Sequence, residues 1–199
     1  PPQGDDDSVL ATLAFGLTVD VARMAEMLRT DAAKHGVIEA GAWTGGVDRD
    51  GDTITALHTA AGEVVSADLF VDASGADSPL AGAFESWATW FPFDRAVTAL
   101  RPDQGVPPLY ADLAALPDGW QAFVPLAGAV AETLVGGSAE GADGQHFRPG
   151  RQARVWEGNL VRIGAAAQQH DPCAGLQLHL ALADAARLVA LFPAGSDCQ

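Results

Sequence analysis

Two turns rich in small residues are the places where this sequence could bind a ligand. In the first, a continuous apolar run at residues 69–71 ends in the segment DASG at residues 72–75. In the second, the apolar residues 160–163 are followed by Gly164 and three alanines. Because glycine lacks a Cβ atom, each turn lets a ligand or another stretch of backbone approach closely. Spacing alone favours neither a ligand nor tight strand–helix packing, and both interpretations stay open.

The second turn leads towards the N-terminus of a predicted helix. Apolar residues recur at helical spacing from Leu178 to Phe192, and Pro193 is placed to end the helix. A helix N-terminus exposes unpaired N–H groups and the positive end of the helix dipole, which favour an anion or the polar edge of a cofactor. Ligands of α/β sheets also bind where strands end. The junction at Gly164 is therefore the first candidate binding site.

Three other chemistries receive little support from the residues. Ser74 lacks the preceding glycine of a G-x-S-x-G nucleophile elbow. The acidic segment DRDGD at residues 48–52 alternates like a calcium loop, but Thr53 stands where the loop needs glycine, which favours a hairpin turn. Cys173, Cys198 and the five histidines have no metal-ligand spacing. We predict no metal site and no disulfide framework.

The remaining pattern predicts the elements that must position these turns. Asp20 and Gly36 are placed to begin and end an amphipathic helix. Residues 37–65 predict a small antiparallel meander, and the run at residues 69–71 predicts a strand buried on both faces. Residues 79–144 predict loops and short strands. Their bulky apolar residues are Trp87, Trp90 and Trp120.

Composition limits the class of protein. The chain has 199 residues, of which 48% are hydrophobic and 19% charged, so it is long and apolar enough to fold around a core. Its formal net charge of -15 argues against nucleic acid or an anionic membrane surface as a partner. Neither a membrane span of about 20 apolar residues nor a signal peptide is predicted. We expect a cytoplasmic protein.

In order along the chain, several segments resemble the flavin-dependent (tryptophan) halogenases, a family within the FAD-dependent monooxygenases. Together with the helix after Asp20, the resemblance covers roughly residues 17–193. The segments are ADLFVDASG at 67–75, FDRAVTA at 93–99, GWQAFVPL at 119–126, FRPGRQARVWEGNLVRIG at 147–164 and ARLVALFP at 186–193.

The resemblance implies a cofactor, partners and site residues. In that family, reduced FAD, oxygen and halide yield hypohalous acid, which travels to a separate pocket for an aromatic substrate; a flavin reductase supplies the reduced FAD. The resemblance places Ala42 near the adenine and Leu178 beside the flavin ring, and it places the halide against the backbone N–H groups of Leu176 and Gln177. The implied cofactor-binding residues are Ala42, Ser74, Gly75, Gly164, Ala165 and Leu178.

The sequence departs from the family pattern at residues that carry its chemistry. The phosphate-binding fingerprint G-x-G-x-x-G is absent from the 199 residues, and Lys34, the single lysine, stands on the first predicted helix, where it cannot replace the active-site lysine of the family. The family run E-P-L-E-S-T-G aligns with residues 171–177, so the glutamate that takes the substrate proton corresponds to Ala174. In the motif W-x-W-x-I-P, Trp120 and Pro125 are kept while the second tryptophan and the isoleucine are replaced. The catalytic residues therefore stay unassigned.

Three functions remain as hypotheses. The first is an FAD-dependent halogenase-like oxidoreductase. The second is a related aromatic hydroxylase, because the segment that begins at Gly164 also resembles the G-D-A-A-H run of those enzymes, with Ala165 in place of the aspartate. The third is a degenerate, non-catalytic member of the family.

The expected architecture is an α/β fold of the FAD/NAD(P)-binding flavoprotein monooxygenase type. We expect it to be incomplete at the N-terminus and to carry an antiparallel meander and a mixed-strand insertion. The predicted divisions are a leading tail at 1–16, an FAD-binding core at 17–78 and 147–193, an inserted substrate-side region at 79–146, and a tail at 194–199.

Overall fold

The chain is described by a computed structural model over residues 16–103, 105–106, 108–139, 144–172 and 175–192. Cys173, Ala174, Pro193, Cys198 and nearly all of both predicted tails lie outside these ranges. Helix α1 spans Val21–Lys34, helix α2 spans Leu176–Leu191, and two short 3-10 helices span Gly137–Ala139 and Gly164–Ala166. The strands are β1 (Trp43–Asp50), β2 (Thr53–Thr59), β3 (Val64–Val65), β4 (Phe70–Asp72), β5 (Phe84–Ser86), β6 (Arg95–Pro102), β7 (Asp112–Leu116), β8 (Gly119–Leu126), β9 (Ala129–Gly136), β10 (Gln145–His146), β11 (Gly150–Gln152), β12 (Trp156–Glu157), β13 (Leu160–Arg162) and β14 (Gln168–Gln169).

Helix α1 begins and ends at the predicted residues. The Asp20 carboxylate accepts hydrogen bonds from the backbone N–H groups of Ala22 and Arg23 at 3.0 and 3.2 Å. Gly36 follows the helix with a φ of 83°, a conformation that favours glycine. The apolar face of α1 is not buried, since Val21 and Leu28 are 57% and 48% exposed. The caps and the periodicity are therefore sufficient to predict this helix without any packing information.

The predicted meander is present as the antiparallel sheet β1-β2-β3. It begins at Trp43 rather than at residue 37, and the turn between β1 and β2 uses Gly51 with a φ of 57°. The acidic segment lies at this hairpin, where the Asp48 carboxylate is 2.9 Å from the Nε2 atom of His58. The hairpin interpretation of residues 48–52 is confirmed.

Strands β4 and β13 pair in parallel, in the mixed sheet β12-β13-β4. Phe70 and Leu160 pair in register and pack with Ile54 and Leu80 to form the buried apolar cluster. The prediction that residues 69–71 are buried on both faces is wrong, because Val71 is 45% exposed. The three-residue strand buries one face, with Phe70 and Asp72 7% and 5% exposed.

Asn159 ties the meander to this mixed sheet. Its Oδ1 atom accepts from the backbone N–H of Ile54 and its Nδ2 atom donates to the Ile54 carbonyl, both at 2.8 Å. Its backbone carbonyl accepts from the N–H of Phe70 at 2.8 Å. One short side chain thus fixes β2 against the hairpin formed by β12 and β13.

Residues 79–144 contain longer strands than predicted. A five-stranded antiparallel sheet has the order β10-β6-β9-β8-β7, and β6, β8 and β9 each have eight residues. A separate antiparallel sheet has the order β14-β11-β5. Trp87 and Trp120 are half-buried, but Trp90 is 76% exposed and adds little to a core.

Helix α2 follows the predicted apolar stripe and packs on the junction after β13. The Cα and Cβ atoms of Ala181 lie closest to Gly164, whereas Leu182 and Val189 are 49% and 77% exposed. Among the described residues, neither helix is long and apolar enough to cross a membrane.

Candidate functional site

The two turns that the sequence singles out lie side by side. Because β4 and β13 are parallel, Asp72 stands opposite Arg162, and the N–H of Ile163 donates to the Asp72 carbonyl at 2.9 Å. Both strands therefore end at the same edge of the mixed sheet. The segments that follow them, with Gly75 and Gly164, leave from this edge.

Asp72 shapes the first turn with its side chain. Its Oδ1 atom accepts from the backbone N–H of Ser74 at 3.0 Å and from the Ser74 hydroxyl at 2.6 Å. Its Oδ2 atom accepts from the hydroxyl of Ser78 at 2.6 Å, and that hydroxyl accepts from the N–H of Leu80 at 3.0 Å. Three donors thus compensate a carboxylate that is 5% exposed. In this network the Ser74 hydroxyl orders the turn.

Arg162 holds the far end of the same loop. Its Nε and Nη2 atoms donate to the Leu80 carbonyl at 3.1 and 2.7 Å, and its Nη1 atom donates to the Arg154 carbonyl at 2.8 Å. The Glu157 carboxylate lies 2.8 Å from Nη1 and balances the charge of a side chain that is 3% exposed. An arginine directly after apolar strand residues is the signal that could have indicated this role, because a buried charge requires partners.

The two glycines play different roles. Gly75 has a φ of 99°, and a Cβ atom added to it would meet no atom within 4 Å, so the space beside it is open. Gly164 has a φ of 58°, and its added Cβ would lie 3.0 Å from the Cβ of Ala181. The N–H of Gly164 also donates to the Asp184 carboxylate of α2 at 3.2 Å. Tight packing therefore explains Gly164, whereas Gly75 leaves room for a ligand.

The residues after Gly164 and the start of α2 surround the second turn. Ala165 is half-buried, and Ala166 and Ala167 are buried. Leu176 opens α2 and is 38% exposed. The backbone N–H groups in the first turn of a helix have no acceptor within that helix.

Gln177 links α2 to the strand before it. Its Nε2 atom donates to the Gln168 carbonyl at 3.0 Å, and its Oε1 atom accepts from the N–H of His170 at 3.2 Å. Leu178, one position on, is half-buried. The Gln177 side chain thus anchors the start of α2. The backbone N–H of the same residue is one of the two groups predicted to bind the halide.

Ala42 lies on the meander, immediately before β1. It is exposed, and its carbonyl accepts from the N–H of Ala60 at 2.7 Å. The meander approaches the loop that follows the first turn at Gly45, whose added Cβ would lie 4.0 Å from the side chain of Pro79. Ala174, at the position of the family glutamate, is outside the described residues.

His170 and Trp87 form a contact that the sequence pattern did not indicate. Their ring centroids are 5.1 Å apart and the ring planes are inclined by 52°. The Nε2 atom of His170 is buried and has no hydrogen-bond partner within the described ranges. Contact between residues so far apart in the chain cannot be inferred from local periodicity.

An open cavity of about 280 Å³ lies between β13 and α2. Its wall includes Trp156, Ile163 and Leu188, with Asp184 and Arg187 at the polar side. None of the predicted cofactor-binding residues lines it. The cavity nevertheless borders the edge at which the two turns meet, because Arg162 and Ile163 also line it.

Comparisons with known proteins agree on one family. The family model for tryptophan halogenase matches residues 1–145 and 127–199. Tryptophan 7-halogenase KtzQ of Kutzneria sp. (strain 744) is 31% identical in an alignment 170 residues long, and the match covers 70% of this chain and 32% of KtzQ.

Solved structures agree with the family and the fold. BrvH, a flavin-dependent halogenase from Brevundimonas sp. BAL3, is 28% identical with a TM-score of 0.79 over 88% of this chain and 42% of BrvH. Xcc4156, a flavin-dependent halogenase from Xanthomonas campestris, is 26% identical with a TM-score of 0.80 over 88% of this chain and 41% of Xcc4156. The chain thus spans less than half the length of these relatives. The predicted flavoprotein monooxygenase-like fold is confirmed, and the chain belongs to the tryptophan halogenase family.

Proposed function

We propose that this chain belongs to an FAD-dependent, halogenase-like oxidoreductase that acts on a small aromatic substrate. Family membership supports the class of reaction. The observation that carries the proposal is the shared edge of β4 and β13, from which both turns leave, together with the open space beside Gly75. Ligands of α/β folds bind at such edges because backbone groups there are unpaired and side chains can be small.

The residues at this edge fit one face of a flavin cofactor. Ser74 and Gly75 would lie against it from the first turn, Gly164 and Ala165 from the second, and Leu178 from α2. Ala42 would contact the adenine end from the meander. When bound and reduced, FAD supplies the reaction of oxygen with halide, and a flavin reductase is the source of its electrons.

The residues of the chain have separate tasks in this proposal. Asp72 keeps the first turn in place through Ser74 and Ser78, and Arg162 fixes the loop that follows by its bonds to the Leu80 carbonyl. Because the backbone of the site is already fixed, little further conformational entropy is lost when a ligand binds. The halide would lie against the backbone N–H groups of Leu176 and Gln177, which suit an anion.

A second function, hydroxylation of an aromatic ring, is favoured by one feature of the sequence. Position 174 is alanine, which cannot accept the ring proton that the family glutamate takes, and loss of a placed general base lowers rates by about 10²–10⁴. Hydroxylation needs neither that glutamate nor halide. With reduced FAD and an aromatic substrate supplied, a hydroxylated product that is indifferent to chloride would support this function over halogenation, and the absence of any product would indicate a non-catalytic member.

Binding of FAD to the whole chain tests the proposal directly. We expect flavin fluorescence to be quenched on titration with the protein, and Gly75→Val to weaken binding at least tenfold because its side chain enters the open space. Gly128→Val is the matched control, since Gly128 also has positive φ (79°) and no atom within 4 Å of an added Cβ but lies on the β8–β9 hairpin. Equal quenching by both variants, or no quenching by the native chain, would refute the proposed site.

A further inference from the structure

Strand β7 forms an open edge of the five-stranded sheet. The sheet has the order β10-β6-β9-β8-β7, and within the described ranges no strand pairs with the outer side of β7. Its first four residues, 112–115, are all exposed. An open edge presents a row of N–H and C=O groups to which another strand can add.

Other edges of the described sheets carry features that oppose such pairing. The ladder of β1 with β2 has two register shifts, and β1 ends in three charged residues. The part of β6 that β10 leaves uncovered ends in Arg101 and Pro102. The remaining edge strands have two or three residues each: β3, β4, β5, β10, β12 and β14. Strand β7 has five residues, pairs with β8 without a register shift and contains no proline or basic residue, so it lacks these protections.

The register of β7 identifies the backbone groups that face outwards. Leu116 and Gly119 pair at the end of the β7–β8 ladder, with two residues in the turn between them. The pair that closes such a hairpin exchanges hydrogen bonds, and along an antiparallel ladder such pairs alternate with pairs that do not. Leu113 and Ala115 therefore direct their N–H and C=O groups away from β8.

A second copy of the same strand fits these outward groups. In antiparallel pairing about a two-fold axis at Ala114, Leu113 of each copy lies opposite Ala115 of the other, so both pairs consist of residues whose backbone groups face outwards. We propose that two copies of the chain associate through β7 in this register, which joins their five-stranded sheets into one. The inference goes beyond the proposed function, because the mixed sheet that carries the two turns is a separate sheet.

The side chains of β7 are compatible with self-pairing in an acidic chain. Asp112 is the charged residue of the strand, and in this register it lies opposite the uncharged Leu116 of the second copy. The two Asp112 residues are then about 14 Å apart along the strands, at about 3.4 Å per residue, which exceeds the screening length of about 8 Å at physiological salt. Leu113, which is 48% exposed, gains an apolar contact with the small Ala115 of the second copy.

The length of β7 and the charge of the chain set the strength of the association. A strand of five residues extends about 17 Å, so its pairing buries less than the roughly 1,200 Å² of a stable specific interface. The formal net charge of -15 on each copy opposes association. We therefore expect a weak dimer, with a Kd in the micromolar to millimolar range, that becomes tighter as salt screens the repulsion.

Sedimentation equilibrium over a wide range of protein concentration tests for the dimer. We expect the mass of the native chain to rise from 20.5 kDa towards twice that value as concentration increases, and to rise further at higher salt. Ala115→Lys places a charge opposite Leu113 of the second copy and should keep the chain monomeric. Ala99→Lys is the matched control, because Ala99 is exposed on β6 at the other side of the same sheet, and it should dimerise like the native chain. A native chain that stays monomeric at every concentration, or equal effects of the two substitutions, would overturn the proposal.

Disulfide formation tests the register without the lysine variant. With Cys173 and Cys198 replaced by serine, Ala114→Cys places two cysteines opposite each other at the two-fold axis. Their Cα atoms would be about 4.5 Å apart, within the range of a disulfide. Ala111→Cys is the control, because its two cysteines would be about 20 Å apart along the strands. We expect mild oxidation to give a covalent dimer with Ala114→Cys and not with Ala111→Cys. Equal cross-linking of both variants, or no cross-linking of Ala114→Cys, would overturn the proposal.

Discussion

At the scale of single residues, the edge that carries the candidate site depends on three polar side chains with buried partners. Asp72 orders the turn after β4, Arg162 holds the loop to Leu80, and Asn159 joins β2 to the mixed sheet. Each bonds to a buried residue, which is Ser78 for Asp72, Leu80 for Arg162 and Ile54 for Asn159. Such groups specify the position of a backbone more strictly than apolar contacts do, because hydrogen bonds are directional.

Replacement of Asn159 tests this dependence. Asn159→Ala removes the hydrogen-bond partners of the N–H and the carbonyl of Ile54, which is 1% exposed. We expect the free energy of unfolding to fall by about 2–4 kcal/mol, because two buried backbone groups lose their partners. Urea unfolding measures it. Ser86→Ala is the control, since the Ser86 hydroxyl accepts only from the exposed N–H of Ala88 at 3.2 Å. Equal effects of the two substitutions would show that the Asn159 bonds do not contribute to stability.

The sequence indicated some of these residues and missed others for a physical reason. Ser74 and Gly75 could be found because a turn after an apolar run is a local pattern. Asn159 and Arg162 bond to residues 105 and 82 positions away, so no local pattern contains their partners. The role of Gly75 beside FAD stays a prediction.

At the scale of elements, the contact between Gly164 and helix α2 decides how closely the helix approaches the mixed sheet. The small residues after β13 allow this approach, as the packing interpretation of the sequence expected. The same residues were also predicted to adjoin a cofactor, and that role stays a prediction.

A pair of substitutions measures that contact. Gly164→Ala should lower the free energy of unfolding by about 2–3 kcal/mol, because it adds a Cβ at 3.0 Å from Ala181 to the cost of positive φ. Gly62→Ala, at a φ of 81° with no atom within 4 Å, should show the backbone cost alone. Ala181→Gly costs about 1 kcal/mol in a helix but should recover part of the Gly164→Ala loss in the double variant. If the free-energy change of the double variant equalled the sum of the two single changes, the two residues would not interact.

Elements with strong local signals were predicted best. The caps of α1 and the hairpin at residues 48–52 follow from single side chains and from glycine conformation. The long strands β8 and β9 were not predicted, because no alternation of polar and apolar residues marks a face in either of them. Their pairing with each other is what makes them strands.

At the scale of the whole molecule, charge is the dominant feature. A formal net charge of -15 on 199 residues makes the folded chain repel itself. Exposed ion pairs such as Arg151 with Glu85 offset little of this repulsion, since surface pairs contribute about 0–1 kcal/mol each. Stability should therefore respond to ionic strength.

Thermal unfolding at two salt concentrations tests the effect of charge. Between 0.01 and 0.15 M salt the screening length falls from about 30 to about 8 Å, and we expect stability to rise by about 1 kcal/mol, or about 2–4 °C in Tm. Sodium acetate measures the effect of screening alone, and the proposed halide site should make the rise in Tm larger in sodium chloride. A fall in Tm would show that attractive pairs outweigh the net repulsion, and a rise with chloride alone would indicate specific halide binding.

The sequence by itself determined the fold family, the acidity, the caps of α1 and the two small-residue turns, because each of these depends on residue type and local order. Only the tertiary structure decided that the turns share one edge, that Gly164 packs on α2 while the space beside Gly75 is open, and that His170 meets Trp87. These facts depend on distances between residues far apart in the chain. Such distances are set by strand pairing and side-chain packing, which no local pattern encodes.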